Sequence, residues 1–125
     1  MMKSAQVVKA LSALAQPTRL AIYRLLVACG PDGMAAGQVA DKLKVSPATL
    51  SFHFKTLSHA GLLESRPDGR FVYYAANFAV MNDMLAYLTE NCCGGNQDLC
   101  ATTTLADAAL KNGSKSGVAK RQTKL

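Results

Sequence analysis

The sequence has no apolar run that approaches the roughly 18 residues of a membrane-spanning helix, and it shows no internal repeat. It is also poor in the groups that catalysis uses most often, with two histidines, four cysteines and no Cys-x-x-Cys pair. Such a pair at a helix N-terminus would lower a thiol pKa, so its absence makes a small thiol reductase the weakest function that the cysteines allow. We therefore expect a protein that is not an enzyme.

The N-terminus lacks the pattern of a secretory signal peptide. Lys9 interrupts the first apolar stretch, and Arg19 and Arg24 follow inside a helical pattern. We expect a cytoplasmic protein with no membrane partner. In that compartment the four cysteines are expected to be thiols or ligands and not structural disulfides.

The 125 residues suit one folded domain with a tail. We expect a folded domain over residues 1–95, an extension over 96–111 and a disordered basic tail over 112–125. The net charge is +6, of which +4 falls in residues 101–125. A basic balance favours a nucleic-acid partner, although much of it here lies in the tail.

The central stretch from Val45 to Tyr74 predicts a helix followed by a hairpin. Ser46 is a suitable N-cap with Pro47 at the first helical position, and Gly61 permits the left-handed turn that ends a helix. An Asp-Gly pair then marks the turn between two short strands, 62–66 and 71–74. One helical stripe is apolar: Leu50, Phe54 and Leu57.

The remaining elements are helices. Apolar spacing predicts them over 3–15, 18–29, 36–43 and 77–91, with Asn77 as the cap of the last one. The first carries an apolar stripe of Val7, Val8, Leu11 and Leu14. The last helix is expected to carry an apolar stripe of Phe78, Met81, Met84 or Leu85, and Leu88. The chain is thus expected to be mainly α with a small β-hairpin, a winged helix-turn-helix.

The face opposite the apolar stripe of the central helix has the chemistry of a helix that enters a DNA major groove. Threonine can bond base edges, and Ala or Phe can touch a thymine methyl group. Arg70, in the hairpin turn, would reach backbone phosphates beside it. The simpler interpretation is a solvated face followed by an ordinary hairpin. The face consists of Ala48, Thr49, Phe52, Lys55, Thr56 and His59.

The combination of Gln-Pro-Thr-Arg, Ser-Pro-Ala-Thr-Leu-Ser-Phe-His-Phe, Ala-Gly-Leu-Leu and an Asp-Gly hairpin resembles the ArsR/SmtB family of metalloregulators. The resemblance covers residues 3–88. It implies a homodimer built on the first and last helices, a double-stranded operator, and repression relieved by a thiophilic or transition metal. The DNA-reading positions that it implies are Ser46, Ala48, Thr49, Phe52, His53 and Lys55. Phe52 stands where many relatives carry a polar or basic residue.

Two metal sites of this family have no counterpart in the sequence. Ala35, Ala36 and Gly37 stand where many arsenic and cadmium sensors carry Cys-x-Cys. The zinc site on the last helix uses acidic and histidine ligands, but residues 77–91 contain no histidine. Asp83 and Glu90 are more simply part of a solvated face.

Three cysteines near the C-terminal end are the remaining candidate ligands: Cys92, Cys93 and Cys100. Three thiolates without a fourth ligand suit trivalent arsenic or antimony as the inducer, whereas zinc would take four ligands. No other cofactor is expected. The alternatives are a redox switch through disulfide formation, or tail thiols without a partner. Cys29 ends an apolar helix and is expected to be a small buried residue outside the site.

Overall fold

Five α-helices and three short β-strands make up residues 2–95, the part of the chain that the computed structural model describes. Residues 2–87 form one compact unit, and residues 88–95 belong to a second. Cys100, the extension 96–111 and the basic tail 112–125 lie outside the described residues. The helices and strands are α1 (Ser4–Leu14), α2 (Pro17–Cys29), β1 (Met34–Ala35), α3 (Ala36–Leu43), α4 (Pro47–His59), β2 (Leu63–Asp68), β3 (Phe71–Ala76) and α5 (Phe78–Leu88). None of these helices is long and apolar enough to cross a membrane.

Helix α4 begins and ends as its sequence predicts. The side-chain oxygen of Ser46 accepts a hydrogen bond from the backbone N–H of Thr49, and Pro47 is the first helical residue. At the other end Gly61 takes a φ of +81°, a value that a residue with a Cβ rarely adopts. The N–H of Leu62 then donates to the Leu57 carbonyl at 3.0 Å, which closes the helix.

The other helices follow their predicted bounds within a few residues. Gln16 caps α2 by accepting from the N–H of Arg19, and Asn77 caps α5 by accepting from the N–H of Val80. Helix α5 is shorter than its apolar pattern predicts, since it ends at Leu88 instead of 91. Asn91 has a φ of +58°, so the backbone has left the helical conformation there.

The predicted hairpin is present and is longer than expected. Strands β2 and β3 pair antiparallel from Leu63 opposite Ala76 to Asp68 opposite Phe71, which leaves Gly69 and Arg70 in the turn. The sequence did not predict β1, which pairs antiparallel with β3 and completes a sheet of order β1-β3-β2. A two-residue strand has no periodicity of its own, so only its distant partner defines it.

The core lies where α1, α2, α3, α4 and the sheet meet. Its largest fully buried side chains are Ile22, Leu26, Val39, Leu50, Leu57 and Leu62. In the apolar stripe predicted for α1, Val8 and Leu11 are 59% and 41% exposed. Helix α1 instead buries Val7 and two alanines, whose small side chains occupy the same helical face.

Candidate nucleic-acid interface

The first turn of α4 has a fixed geometry at its exposed end. The Ser46 hydroxyl donates to the Thr49 hydroxyl at 2.9 Å and also accepts from the Thr49 N–H at 3.3 Å. Both side chains are exposed. The Thr49 hydroxyl thus lies in a defined place at the N-terminal end of α4, where a helix-turn-helix protein contacts base edges.

The predicted DNA-facing residues of α4 lie on one exposed surface, which we call the reading face: Ala48, Thr49, Phe52 and Lys55. Phe52 is 64% exposed, a large value for an aromatic ring. An exposed ring has little stabilising role in a monomer, whereas it can pack against a base or a thymine methyl. The reading face therefore combines a hydroxyl, an apolar ring and a cation within two helical turns.

One of the predicted DNA-reading positions, His53, lies away from the reading face. His53 is only 7% exposed and lies in the core with its Nδ1 atom unpaired among the described residues. It stands three residues after Leu50 and four before Leu57, so it shares their buried face. Burial lowers the pKa of the imidazole, and the nearby positive charge of Arg19 lowers it further. In this position His53 lies on the buried side of α4 and not on the reading face.

Helix α4 is held against the hairpin by two stacked rings. The rings of Phe54 and Tyr74 lie 3.9 Å apart between centroids and are inclined by 14°. Stacked aromatic pairs add stability beyond their buried area, and this one joins α4 directly to β3. The reading face and the wing, by which we mean β2, β3 and their turn, are therefore positioned relative to each other.

Arg70 lies at the tip of the wing, as predicted, and is exposed. It makes no hydrogen bond or ion pair with any residue in 2–95, so its guanidinium can reach a phosphate. Sequence reasoning missed Arg66, which sits over the Tyr73 ring at 5.1 Å and donates to the Asp32 carbonyl at 3.5 Å. Its sequence signal was a single cation in a predicted strand, which does not reveal either contact.

Two of the three predicted ligand cysteines are described, and they follow one another in a 3-10 turn over Cys92–Gly95. The Cys92 side chain is half-buried and that of Cys93 is exposed. Cys93 has a φ of +57°, and Gly94 and Gly95 have positive φ as well, so the chain bends sharply at the pair. Cys100 is outside the described residues, and no group of three ligand side chains occurs within them. Cys29 is half-buried, so the prediction of a buried thiol is only partly confirmed.

Comparison with known proteins identifies relatives of one kind. A helix-turn-helix domain model matches residues 14–66. The chain is 44% identical over 69 residues to YceK of Bacillus subtilis (strain 168), an uncharacterised HTH-type transcriptional regulator, and spans 65% of its length. It is 32% identical over 87 residues to the transcriptional repressor SdpR of the same strain. That match covers 70% of this chain and 93% of SdpR.

Solved structures that resemble this chain are also transcriptional regulators. An ArsR-like transcriptional regulator from Rhodococcus sp. RHA1 has a TM-score of 0.63 and 28% identity over 82% of this chain and 93% of that one. The homodimeric winged helix-turn-helix domain of Mb0332 from Mycobacterium bovis has a TM-score of 0.58 and 25% identity, covering 88% and 86%. A possible transcriptional regulator for arsenical resistance has a TM-score of 0.57 and 29% identity, covering 64% and 80%.

Proposed function

The chain belongs to the ArsR/SmtB family of winged helix-turn-helix transcriptional regulators, and from that membership we propose that it is a homodimeric repressor whose operator affinity is controlled by its C-terminal cysteines. The relatives and the fold are those of DNA-binding regulators, not of enzymes, so a thiol reductase is excluded. The observation that carries the DNA-binding part is the reading face of α4, with Thr49, Phe52 and Lys55 exposed beside the wing.

Dimerisation is supported by apolar side chains that the monomer leaves exposed. Val8 and Leu11 of α1 are 59% and 41% exposed, and Leu85 and Tyr87 of α5 are 42% and 37% exposed. Exposed apolar groups on two helices favour a protein interface. The similar Mb0332 domain is homodimeric. A two-fold dimer would present two copies of α4 to successive major grooves.

A footprint on genomic DNA fragments tests the DNA-binding proposal. We expect protection of an imperfect palindrome whose half-sites lie roughly 10 bp apart, or a small multiple of that spacing. The stoichiometry should be two chains per site. Protection of a single unrepeated site by one chain would contradict the proposal.

The proposed inducer is trivalent arsenic or antimony, held by Cys92, Cys93 and Cys100. Three observations support this choice: the sharp bend at the vicinal pair, the exposure of Cys93, and the absence of a Cys-x-Cys at positions 35–37. Neighbouring side chains on a helix diverge by about 100°, so two adjacent thiols can share one ion only where the helix has ended. Helix α5 does end, at Leu88. One similar structure is of a possible regulator for arsenical resistance.

Release from DNA would follow from the place of the cysteines in the chain. They come directly after α5, whose Leu85 and Tyr87 we assign to the dimer interface. When the thiolates draw residue 100 towards the pair, the end of α5 is fixed and the spacing of the two copies of α4 changes. A coupling of about 1–3 kcal/mol, or a change of roughly 5- to 150-fold in affinity, is typical of such linked sites.

A thiol redox switch is the second candidate, favoured by the exposed Cys93 beside a second thiol. Gel shifts with arsenite, zinc or peroxide separate the two functions. If the arsenite proposal is correct, arsenite alone releases the wild type, and Cys92→Ser or Cys93→Ser abolishes release without changing DNA affinity. Cys29→Ser is the matched control and should respond like the wild type. Release by peroxide but not by arsenite would favour the redox switch, and release by zinc alone would contradict both.

A further inference from the structure

A second cationic surface lies next to the reading face, at the C-terminal half of α4. It is a groove of about 390 Å³ between α1, the start of α2 and the C-terminal half of α4. Its lining includes two cationic side chains, an imidazole and two hydroxyls: Lys9, Arg19, His59, Ser12 and Thr56. No carboxylate is among the residues that line it. We call it the α1–α4 groove.

Arg19 is held in place at the inner end of this groove. Its backbone N–H donates to the Gln16 side chain at 2.7 Å, and its Nε donates to the Ala13 carbonyl at 2.5 Å. The Nε bond orients the guanidinium, while its Nη atoms make no hydrogen bond or ion pair with any residue in 2–95. A half-buried guanidinium with two donors remaining is a strong site for an oxyanion, because its planar fork matches two oxygens at once.

The other groups surround the same space. The side chains of Lys9 and His59 are exposed and make no ion pair or hydrogen bond within the described part of the chain. The Thr56 hydroxyl already donates to the Phe52 carbonyl at 3.2 Å, so Ser12 supplies the hydroxyl donor. The positive charge of Arg19 contributes to the lowered pKa of His53, so the electrostatic effect of Arg19 extends to this neighbouring buried residue.

The groove adjoins the predicted DNA-facing side of α4, to which Thr56 and His59 belong, and lies apart from the exposed apolar side chains of α1. Lys9 lies about 100° around α1 from Val8 and about 160° from Leu11, so a dimer that covers the two apolar side chains leaves Lys9 at its flank. A neighbouring cleft of about 350 Å³ shares Lys9 and His59 but adds the carboxylate of Asp83. The acidic group disfavours an anion in that cleft, and the α1–α4 groove is free of it.

We propose that the α1–α4 groove binds a phosphate group, with Lys9 and His59 at its rim and Arg19 at its inner end. The phosphate can come from the backbone of bound DNA or from a small phosphorylated molecule. His59 and Thr56 also belong to the exposed side of α4, which brings the groove next to the reading face. The DNA source rests on the proposed function, whereas the small-molecule source does not.

Two measurements on the full-length protein test this inference. In the first, inorganic phosphate is titrated at constant ionic strength against chloride, and amide NMR shifts are followed. We expect saturable shifts at Ser12 and Arg19 that are lost in Lys9→Gln and His59→Gln. Lys3→Gln, at the exposed N-cap of α1 and outside the groove, is the matched control and should titrate like the wild type.

In the second measurement, the affinity for a random-sequence duplex is determined at several salt concentrations. Loss of one phosphate contact should reduce the slope of log K against log salt by about 0.9. A reduced slope in Lys9→Gln but not in Lys3→Gln identifies the DNA backbone as the source. An unchanged slope together with saturable phosphate binding identifies a small molecule. Either result supports the proposal that the α1–α4 groove binds phosphate.

Other outcomes overturn the inference. If phosphate gives no saturable shift and Lys9→Gln keeps the wild-type salt slope, the groove binds no phosphate, and DNA binding by the reading face is unaffected by that failure. Equal losses in Lys3→Gln and Lys9→Gln would show a general effect of net charge and would also overturn it. If the protein binds no duplex at all, the proposed function fails, and the phosphate titration alone decides about the groove.

Discussion

At the scale of single residues, Ser46 and His53 have the clearest energetic roles in α4. Ser46 caps the helix and orients Thr49, whereas His53 is buried on the inner face of the helix with its Nδ1 atom unpaired among the described residues. The first role was visible in the sequence, because N-caps have a local signature. The second was not, because a histidine on a helix can face either way.

The cap predicts a matched pair of stability effects. Ser46→Ala removes the acceptor for the Thr49 N–H and should lower the free energy of unfolding by about 1 kcal/mol. Ser46→Gly should cost only a few tenths of a kcal/mol, roughly, because glycine is tolerated at an N-cap. Denaturant unfolding at one protein concentration measures both. Equal losses in the two variants would argue against the side-chain cap.

The burial of His53 predicts a dependence of stability on pH. The pKa of His53 is lowered in the folded protein by burial and then by Arg19, so the unfolded chain binds the proton more readily. Stability should therefore fall as the pH drops below about 6.5, the ordinary histidine value, until the folded protein is itself protonated. His53→Leu should flatten a plot of Tm against pH over this range, whereas His59→Gln should not. An unchanged slope in His53→Leu would contradict the prediction.

At the scale of secondary-structure elements, the contact of β1 with β3 depends on a close backbone approach at Gly33. A Cβ at this position would lie 2.2 Å from the Tyr74 carbonyl oxygen, and Gly33 has a φ of +71°. Gly30 has a similar φ of +83° but open space around it. An alanine at position 30 therefore tests backbone strain alone, whereas an alanine at position 33 adds a steric clash with β3.

We expect Gly30→Ala to cost about 1–3 kcal/mol of unfolding free energy from backbone strain alone, because a φ of +83° with a ψ of −167° lies in a region essentially confined to glycine. Gly33→Ala should cost roughly 1–3 kcal/mol more, because the added methyl group forces β1 away from β3. Chemical denaturation of the two variants under one set of conditions gives the comparison. If Gly33→Ala is no worse than Gly30→Ala, the strand contact is not as close as the structure has it.

Helix α4 and the wing are expected to contribute to DNA binding in different ways. Thr49→Ala should relax the preference at one operator position, with a loss of about 1–3 kcal/mol for the best sequence. Arg70→Ala should weaken binding to all sequences alike and reduce the slope of log K against log salt by about one. Competition binding with a set of single-base operator variants distinguishes the effects. Loss of sequence preference in Arg70→Ala would place base reading in the wing.

At the scale of the whole molecule, the exposed apolar groups of α1 and α5 predict an obligate association. Val8→Glu and Leu85→Glu each place a charge in the proposed dimer interface and should shift the protein to monomers that bind the palindrome weakly. Phe71→Glu, at a wing residue that is 60% exposed, is the control and should remain dimeric. Light scattering after gel filtration measures the mass. A dimeric Val8→Glu variant would place the interface elsewhere.

Local chemistry in the sequence determined where most elements begin and end. The caps at Ser46, Gln16 and Asn77 and the exit at Gly61 act within a few residues, so they can be read without a partner. The apolar stripe of α4 predicted its exposed side as well, and with it four residues of the reading face. The resemblance of these motifs to one regulator family was confirmed by its relatives.

Only the tertiary structure decided what depends on residues far apart in the chain. Strand β1 exists because Met34 and Ala35 pair with Tyr74 and Tyr73, and two residues carry no pattern of their own. Which apolar side chains of α1 are buried was settled by how closely its alanines approach the other helices. The same holds for the inward position of His53 and for the meeting of Lys9, Arg19 and His59 across three helices. Spacing in the sequence fixes a residue's face on its own helix, but packing alone decides what that face meets.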